Sequence, residues 1–323
     1  MFRLMMTVMI LMLVLNSAVA NYFNTYRSQK IFGFYVTDRS QIQEISNFSN
    51  AFSFTPQSAS EITQYLNANK DRLLPVISIS RLLFDEKTGM YHHDVKDIIE
   101  AIEKSNHGEA EILFLMDEPL WWVRRACDDH RKTRACVDID NRYAETLATF
   151  RTVGQLIRKQ LPGSGIMHIE AWAELVIQKK ERPDDLVIML DDAEYLGFDC
   201  YGNINACGSI EHGFYSQLEY GTWVWEAMLT MEDQQAIGRK LFLIPGTFMA
   251  QDHFEELEPL IDQIGFYAWI LKQSDKIGGF GAFLWGDMLE NNKPFIGGRN
   301  ILEVTNFLKF IAKYYGIENL TKK

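Results

Sequence analysis

The sequence is short of the residues that most often announce a site or a boundary. It holds four cysteines and eight prolines in 323 residues, and no HExxH, GxSxG or P-loop signature. Those absences exclude the zincin, nucleophile-elbow and phosphate-cradle chemistries that short motifs reveal. Positive charge is also scarce: 32 Lys and Arg stand against 43 Asp and Glu, for a net charge of −11. With no Lys/Arg cluster, an extended nucleic-acid or anionic-membrane surface is excluded as well. No CxxC-like spacing exists for a metal, and the acids at 128–129 and 138–140 lack the glycine and terminal glutamate of a calcium loop. No metal and no cofactor is expected. Repeats, low-complexity tracts and Pro/Ser-rich linkers are missing too, so nothing divides the chain into two domains.

What is present begins at the N-terminus. Arg3 precedes an apolar run over residues 4–15, and Ala18-Val19-Ala20 forms a small-residue cleavage site. A 12-residue run is below the ~18–20 residues that span a bilayer. Residues 1–20 therefore read as a secretory signal peptide, and residues 21–323 as one exported domain without stable membrane insertion. Export permits disulfides. Cys127 with Cys136, and Cys200 with Cys207, form two short-range pairs in polar surroundings; the local connectivity is the expected one of the three possible.

Along the mature chain, short apolar runs alternate with amphipathic stretches. The runs cover 31–36, 51–54, 74–79, 112–116, 166–169, 196–200, 241–244 and 279–285. Helical spacing covers 60–71, 94–105, 141–160, 215–237, 254–275 and 301–315, with 172–181 and 186–194 as two shorter pieces. Continuous apolar strands separated by helices imply a parallel sheet buried on both faces. Eight of them in about 300 residues imply an α/β fold, a single (β/α)8 TIM barrel, with disulfide-pinned loops after strands 4 and 6. A doubly wound sheet is the alternative, but Gly278-Gly279-Phe280-Gly281 opens a strand and is not GxGxxG.

In such barrels the site forms where the strands end. Strand 1 ends at Asp38, strand 4 at Asp117-Glu118-Pro119, strand 5 at Glu170, strand 6 at Asp199 and Tyr201, and strand 8 at Trp285 and Asp287; strand 7 ends without a carboxylate. Asp117 and Glu118 follow five apolar residues, where desolvation raises a carboxyl pKa. Strand alternation puts them on opposite faces, with separate roles. Gly197, Asp199 and Tyr201 share one face: space, an acid and a phenol. Trp121, Trp122, Trp172 and Trp285 fall at or just past strand ends and offer flat faces to a sugar ring. His168 and Glu170 share a strand face and, with Asp117, would be the ligands if the protein were a metal-dependent hydrolase.

These residues resemble the (β/α)8 glycoside-hydrolase superfamily, cellulase-like and chitinase-like, over most of the mature chain. The likeness rests on Asp117-Glu118-Pro119, on Asp199-Cys200-Tyr201 and on Trp285. It implies an acid/base role for Glu118, with Asp199 and Tyr201 as its partners after strand 6 and Trp285 as a stacking floor. Asp117 would tune Glu118, while Glu170, Asp38 and the other three tryptophans would bind a carbohydrate ligand. Cellulase-like relatives carry Asn-Glu after strand 4 and a glutamate after strand 7; this chain has Asp-Glu and no acid there. A non-catalytic glycan-binding barrel is the second expectation.

Overall fold

Eight short apolar strands close on themselves because a parallel strand buried on both faces needs a neighbour on each edge and cover on both sides. The computed structural model describes residues 30–107, 110–129, 139–182, 187–201, 239–251, 253–273, 275–290 and 292–316. Its strands are β1 (Ile31–Tyr35), β2 (Ala51–Phe54), β3 (Leu74–Ser78), β4 (Ile112–Asp117), β5 (Ser164–Ala171), β6 (Tyr195–Asp199), β7 (Lys240–Ile244) and β8 (Ile277–Ala282). Each pairs in parallel with the next, and β8 closes on β1, Phe32 standing opposite Phe280. The expected barrel is formed, with every expected strand in place.

The helices that cover it are α1 (Gln41–Ile45), α2 (Ala59–Ala68), α3 (Lys96–Glu103), α4 (Pro119–Asp129), α5 (Ile139–Gln160), α6 (Trp172–Glu181), α7 (Leu257–Gln273) and α8 (Leu302–Tyr314). Of the two pieces expected between β5 and β6, only the first is helical; residues 187–194 form a turn and irregular chain. The expected leader, Cys136, Cys207 and the helix expected over 215–237 lie outside the described residues. Among the described residues, no helix is long and apolar enough to cross a membrane.

Period-two alternation divides the core in two. Ile31, Ala51, Val76, Leu113, Leu115, Met167, Ile169, Tyr195 and Phe242 fill the barrel interior. Their strand neighbours, such as Phe32, Phe114 and Ile166, pack outward against the helices. Phe242 is a bulky interior wedge, and small residues make room for it. A Cβ on Gly279 would meet its ring at 2.5 Å, and one on Gly281 would do so at 2.7 Å. Gly197 is tighter still, because its Cβ would lie 2.3 Å from the Phe242 carbonyl oxygen and 2.8 Å from Ile169. Backbone cannot yield as a side chain does, so Gly197→Ala should lower stability by about 1–3 kcal/mol in urea denaturation. An unchanged midpoint would show that β6 and β7 can part at no cost.

A three-stranded antiparallel sheet of Phe248–Met249, Lys293–Gly297 and Met288–Glu290 stands beside the β7 and β8 ends. Its strands are too short for periodicity to reveal, yet they build one wall of the mouth.

Candidate functional site

The mouth opens into a cavity of about 860 Å³, within the ~300–1,000 Å³ range of ligand pockets. Asp117, Glu118, Asp199 and Tyr201 line it, as do Trp121 and Trp122.

Glu118 owes its place to a break in the strand pattern. Its amide still donates to the Ile169 carbonyl at 2.7 Å, but its φ is 48°, in the left-handed region. A residue with a Cβ pays about 1–2 kcal/mol for that conformation, and such positions cluster where function over-determines the backbone. Pro119 then opens α4 with a preset φ, and the Glu118 carbonyl accepts the Trp122 amide at 3.0 Å. The turn overrides alternation: Asp117 and Glu118 both face the cavity, instead of opposite sides.

The carboxyls form one group. Burial, followed by the charges of Asp199, Asp117 and Glu170, holds Glu118 well above the usual carboxylate range. Its acidic hydrogen is shared with Asp199, which burial and Asp117 push up to about 7 against hydrogen bonds from Tyr201 and Glu118. Asp117 is raised by burial and eased by the Ser78 hydroxyl, which donates to it at 3.1 Å, and by the Arg81 charge. Its amide donates to Ser80 Oγ at 2.6 Å. Burial and the surrounding carboxylates raise the Tyr201 hydroxyl, which keeps its proton and donates to Asp199. The arrangement can hold a proton on Glu118 at neutral pH beside an acceptor that ionises in the same range.

Glu170 has another task than sugar binding. It shares the outward face of β5 with Ile166 and His168 and is fully buried. Its carboxylate accepts the amides of Leu120 at 3.0 Å, Trp121 at 3.2 Å and Ala171 at 3.0 Å. It caps the N-terminus of α4, one turn from Glu118, where amides and dipole favour an anion. His168 Nδ1 accepts the Leu190 amide at 2.9 Å, so its Nε2 carries the hydrogen that faces Glu170 at 3.3 Å. These two residues spend their polar atoms on each other and on backbone, and do not converge with Asp117 on a metal. Among the described residues, no group of three ligands could hold one. A second brace fixes α4: Arg124 meets Glu174 at 2.5 Å and Glu181 at 3.1 Å, and Tyr143 donates to Glu174 at 2.6 Å.

Three other expectations are corrected. Trp285 is buried against Phe34 and Phe48, its Nε1 donating to Glu44 at 3.2 Å, so it is not a sugar platform. Trp172 is 4% exposed and packs in the outer core at the start of α6. Asp38 folds back on its own turn, accepting the amide of Ser40 at 2.8 Å and its hydroxyl at 2.5 Å. Phe283 and Tyr35 join Trp121, Trp122 and Tyr201 in supplying the aromatic faces of the wall. Phe283 stacks on Tyr201 (centroids 4.8 Å, 20°) and leans on Tyr35 at 5.0 Å, and all three line the cavity. Counting two residues on from Gly279 and Gly281 along the inward face of β8 would have found Phe283.

No protein-family model matches the sequence, and no curated protein matches it. Solved structures do. A GH2 β-galacturonidase from Eisenbergiella tayi bound to galacturonate matches with a TM-score of 0.55 at 10% identity, over 87% of this chain and 51% of its own. A β-glucuronidase from Ruminococcus gnavus in complex with D-glucuronic acid gives 0.56 at 13% identity, over 88% and 49%. A GH5_18 protein from Bifidobacterium longum subsp. infantis gives 0.54 at 9% identity, over 89% and 79%. The chain has the barrel fold of the glycoside hydrolases. It spans about half the length of the first two proteins. Within this barrel, the Glu118 cavity opens at the C-terminal ends of the strands, the end where barrels of this architecture carry their sites.

Proposed function

We propose that the protein is an exported glycoside hydrolase-like enzyme acting on a carbohydrate at the barrel mouth. The observation that carries the reading is the buried, hydrogen-bonded Glu118–Asp199 pair in a cavity with aromatic walls. Glu118 donates its proton to the glycosidic oxygen as the bond to the anomeric carbon breaks. Asp199, ionised, balances the positive charge growing on the sugar ring and takes the proton of the incoming water; Tyr201 orients it. Asp117 tunes Glu118 through its charge. The two acids of this pair lie within hydrogen-bond reach, nearer than the ~5–5.5 Å or ~6.5–9.5 Å that separate paired carboxyls in retaining and inverting enzymes. This reading therefore requires a sugar entering the cavity to separate the two carboxyls.

Activity should rise as the pair releases its first proton near pH 7, because Asp199 must ionise while Glu118 keeps its hydrogen. A pH–rate profile flat between 5 and 9 would remove the acid/base assignment. The test of the function itself is hydrolysis across a panel of neutral and acidic glycans, with Glu118→Gln as the control.

A specific observation favours the second reading, a glycan-binding barrel without turnover. β7 leads into Pro245, Gly246 and Thr247, and among the described residues of the segment that follows it no carboxylate lines the cavity. Binding by both proteins with hydrolysis by neither would support it. For the exported form we propose cleavage before Asn21 and bridges from Cys127 to Cys136 and from Cys200 to Cys207. Non-reducing peptide mapping of the secreted protein should recover both linked pairs and an N-terminus at residue 21.

A further inference from the structure

The cavity has an acidic floor, but one side of its rim is basic. Arg81, on the short helix Ser80–Leu83 after β3, and Arg125, on α4, both line the cavity beside Trp122. Each guanidinium lies over the Trp122 ring, with Cζ 5.4 Å from its centroid. Stacking of this kind fixes the plane of the group and leaves its N–H fork free to bind. Both side chains are exposed, and neither makes a hydrogen bond or ion pair among the described residues.

That is unexpected in a chain with 43 acids against 32 bases. Arg124, the next residue before Arg125, is taken up by Glu174 and Glu181. Arg151, Arg158, Arg182 and Arg299 each find a carboxylate as well. Asp117 is the acid whose charge reaches Arg81 from the floor, and it bonds to the Ser78 hydroxyl and does not pair with the guanidinium. The opposite wall carries Glu290 and Lys293, one charge of each sign.

We infer that Arg81 and Arg125 form a subsite for the anionic group of an acidic sugar, a carboxylate or a sulfate, at the rim of the Glu118 cavity. This rests on the glycan reading above and adds the substrate class to it. Each fork offers paired N–H donors at the cavity rim, the geometry that suits carboxylate and sulfate oxygens and gives neutral hydroxyls no comparable bond. Trp121 and Phe283, also on the cavity wall, supply apolar faces for the sugar ring that carries the charge.

The test is binding of D-glucuronate, D-glucose 6-sulfate and D-glucose to the wild-type protein, by ligand-observed NMR and calorimetry at two salt concentrations. The expected result is about tenfold or tighter binding of a charged sugar than of glucose, weakening as salt rises. Preference between the two charged sugars identifies the anion. Arg81→Ala and Arg125→Ala should each cost about tenfold for the charged sugar and leave glucose binding and the thermal midpoint unchanged. Equal binding of all three sugars overturns the subsite and leaves the glycan reading standing. Binding of the charged sugars that both arginine variants retain in full also overturns it. No binding of any sugar removes the glycan reading, and the subsite with it.

Discussion

Glu118→Gln should abolish most of the hydrolysis, lowering kcat by the 10²–10⁴-fold typical of a lost general acid, while glycan affinity stays within a few-fold of wild type. Glutamine keeps the shape and can still donate a hydrogen bond to Asp199, so the cavity persists. What it cannot do is transfer a proton to a leaving oxygen. Progress curves on the best substrate of the panel, with binding measured separately, divide the two effects. A substrate whose leaving group needs no protonation, such as a nitrophenyl glycoside, should be rescued in part. Full activity in the variant would move the acid elsewhere.

Asp199→Asn should make the protein more stable at neutral and alkaline pH, in contrast to the usual cost of changing a buried residue. The sign follows from which state holds the proton more tightly. Burial raises Asp199 from 3.8 to about 7 in the folded protein, so the folded state binds that proton where the unfolded chain has released it. The stability this contributes is complete below about pH 4 and is lost as pH rises through about 7. Glu118 and Asp117 are displaced in the same direction and add to the trend. Asparagine has no proton to lose and keeps an acceptor for the Tyr201 hydroxyl. Its gain over wild type should reach about 2–4 kcal/mol at pH 8 and vanish near pH 4. Urea denaturation at pH 4, 6 and 8 reads this directly, and a variant less stable than wild type at pH 8 would contradict the raised carboxyl of Asp199.

The barrel was legible because its strands are short, apolar and separated by helical spacing, and because that pattern admits few topologies. Asp117, Asp199 and Tyr201 were legible for the same reason, since an inward-facing strand position carried past the last apolar residue lands in the mouth. Glu170 shows where that counting slipped. It ends a strand, but it sits on the face of Ile166 and His168, which looks at the helices, so its acid serves the α4 cap. Glu118 shows the opposite failure, because a left-handed turn brings it to the same side as Asp117. No residue type requires that turn, so a reader of the sequence cannot find it. Trp285 stands at the expected end of strand 8, but it turns into the outer core, and Phe283 occupies the wall. Arg81 and Arg125 lie 44 positions apart in the sequence, and only the closing of β3 against β4 brings them to one indole ring.

The most direct test of the account is a crystal structure of Glu118→Gln with an oligosaccharide from the panel. The account predicts a glycosidic oxygen within hydrogen-bond distance of the residue 118 side chain, the ring beyond the scissile bond beside Asp199, and sugar faces against Phe283 or Trp121. A sugar bound elsewhere on the barrel, with the Glu118 cavity empty, would contradict it.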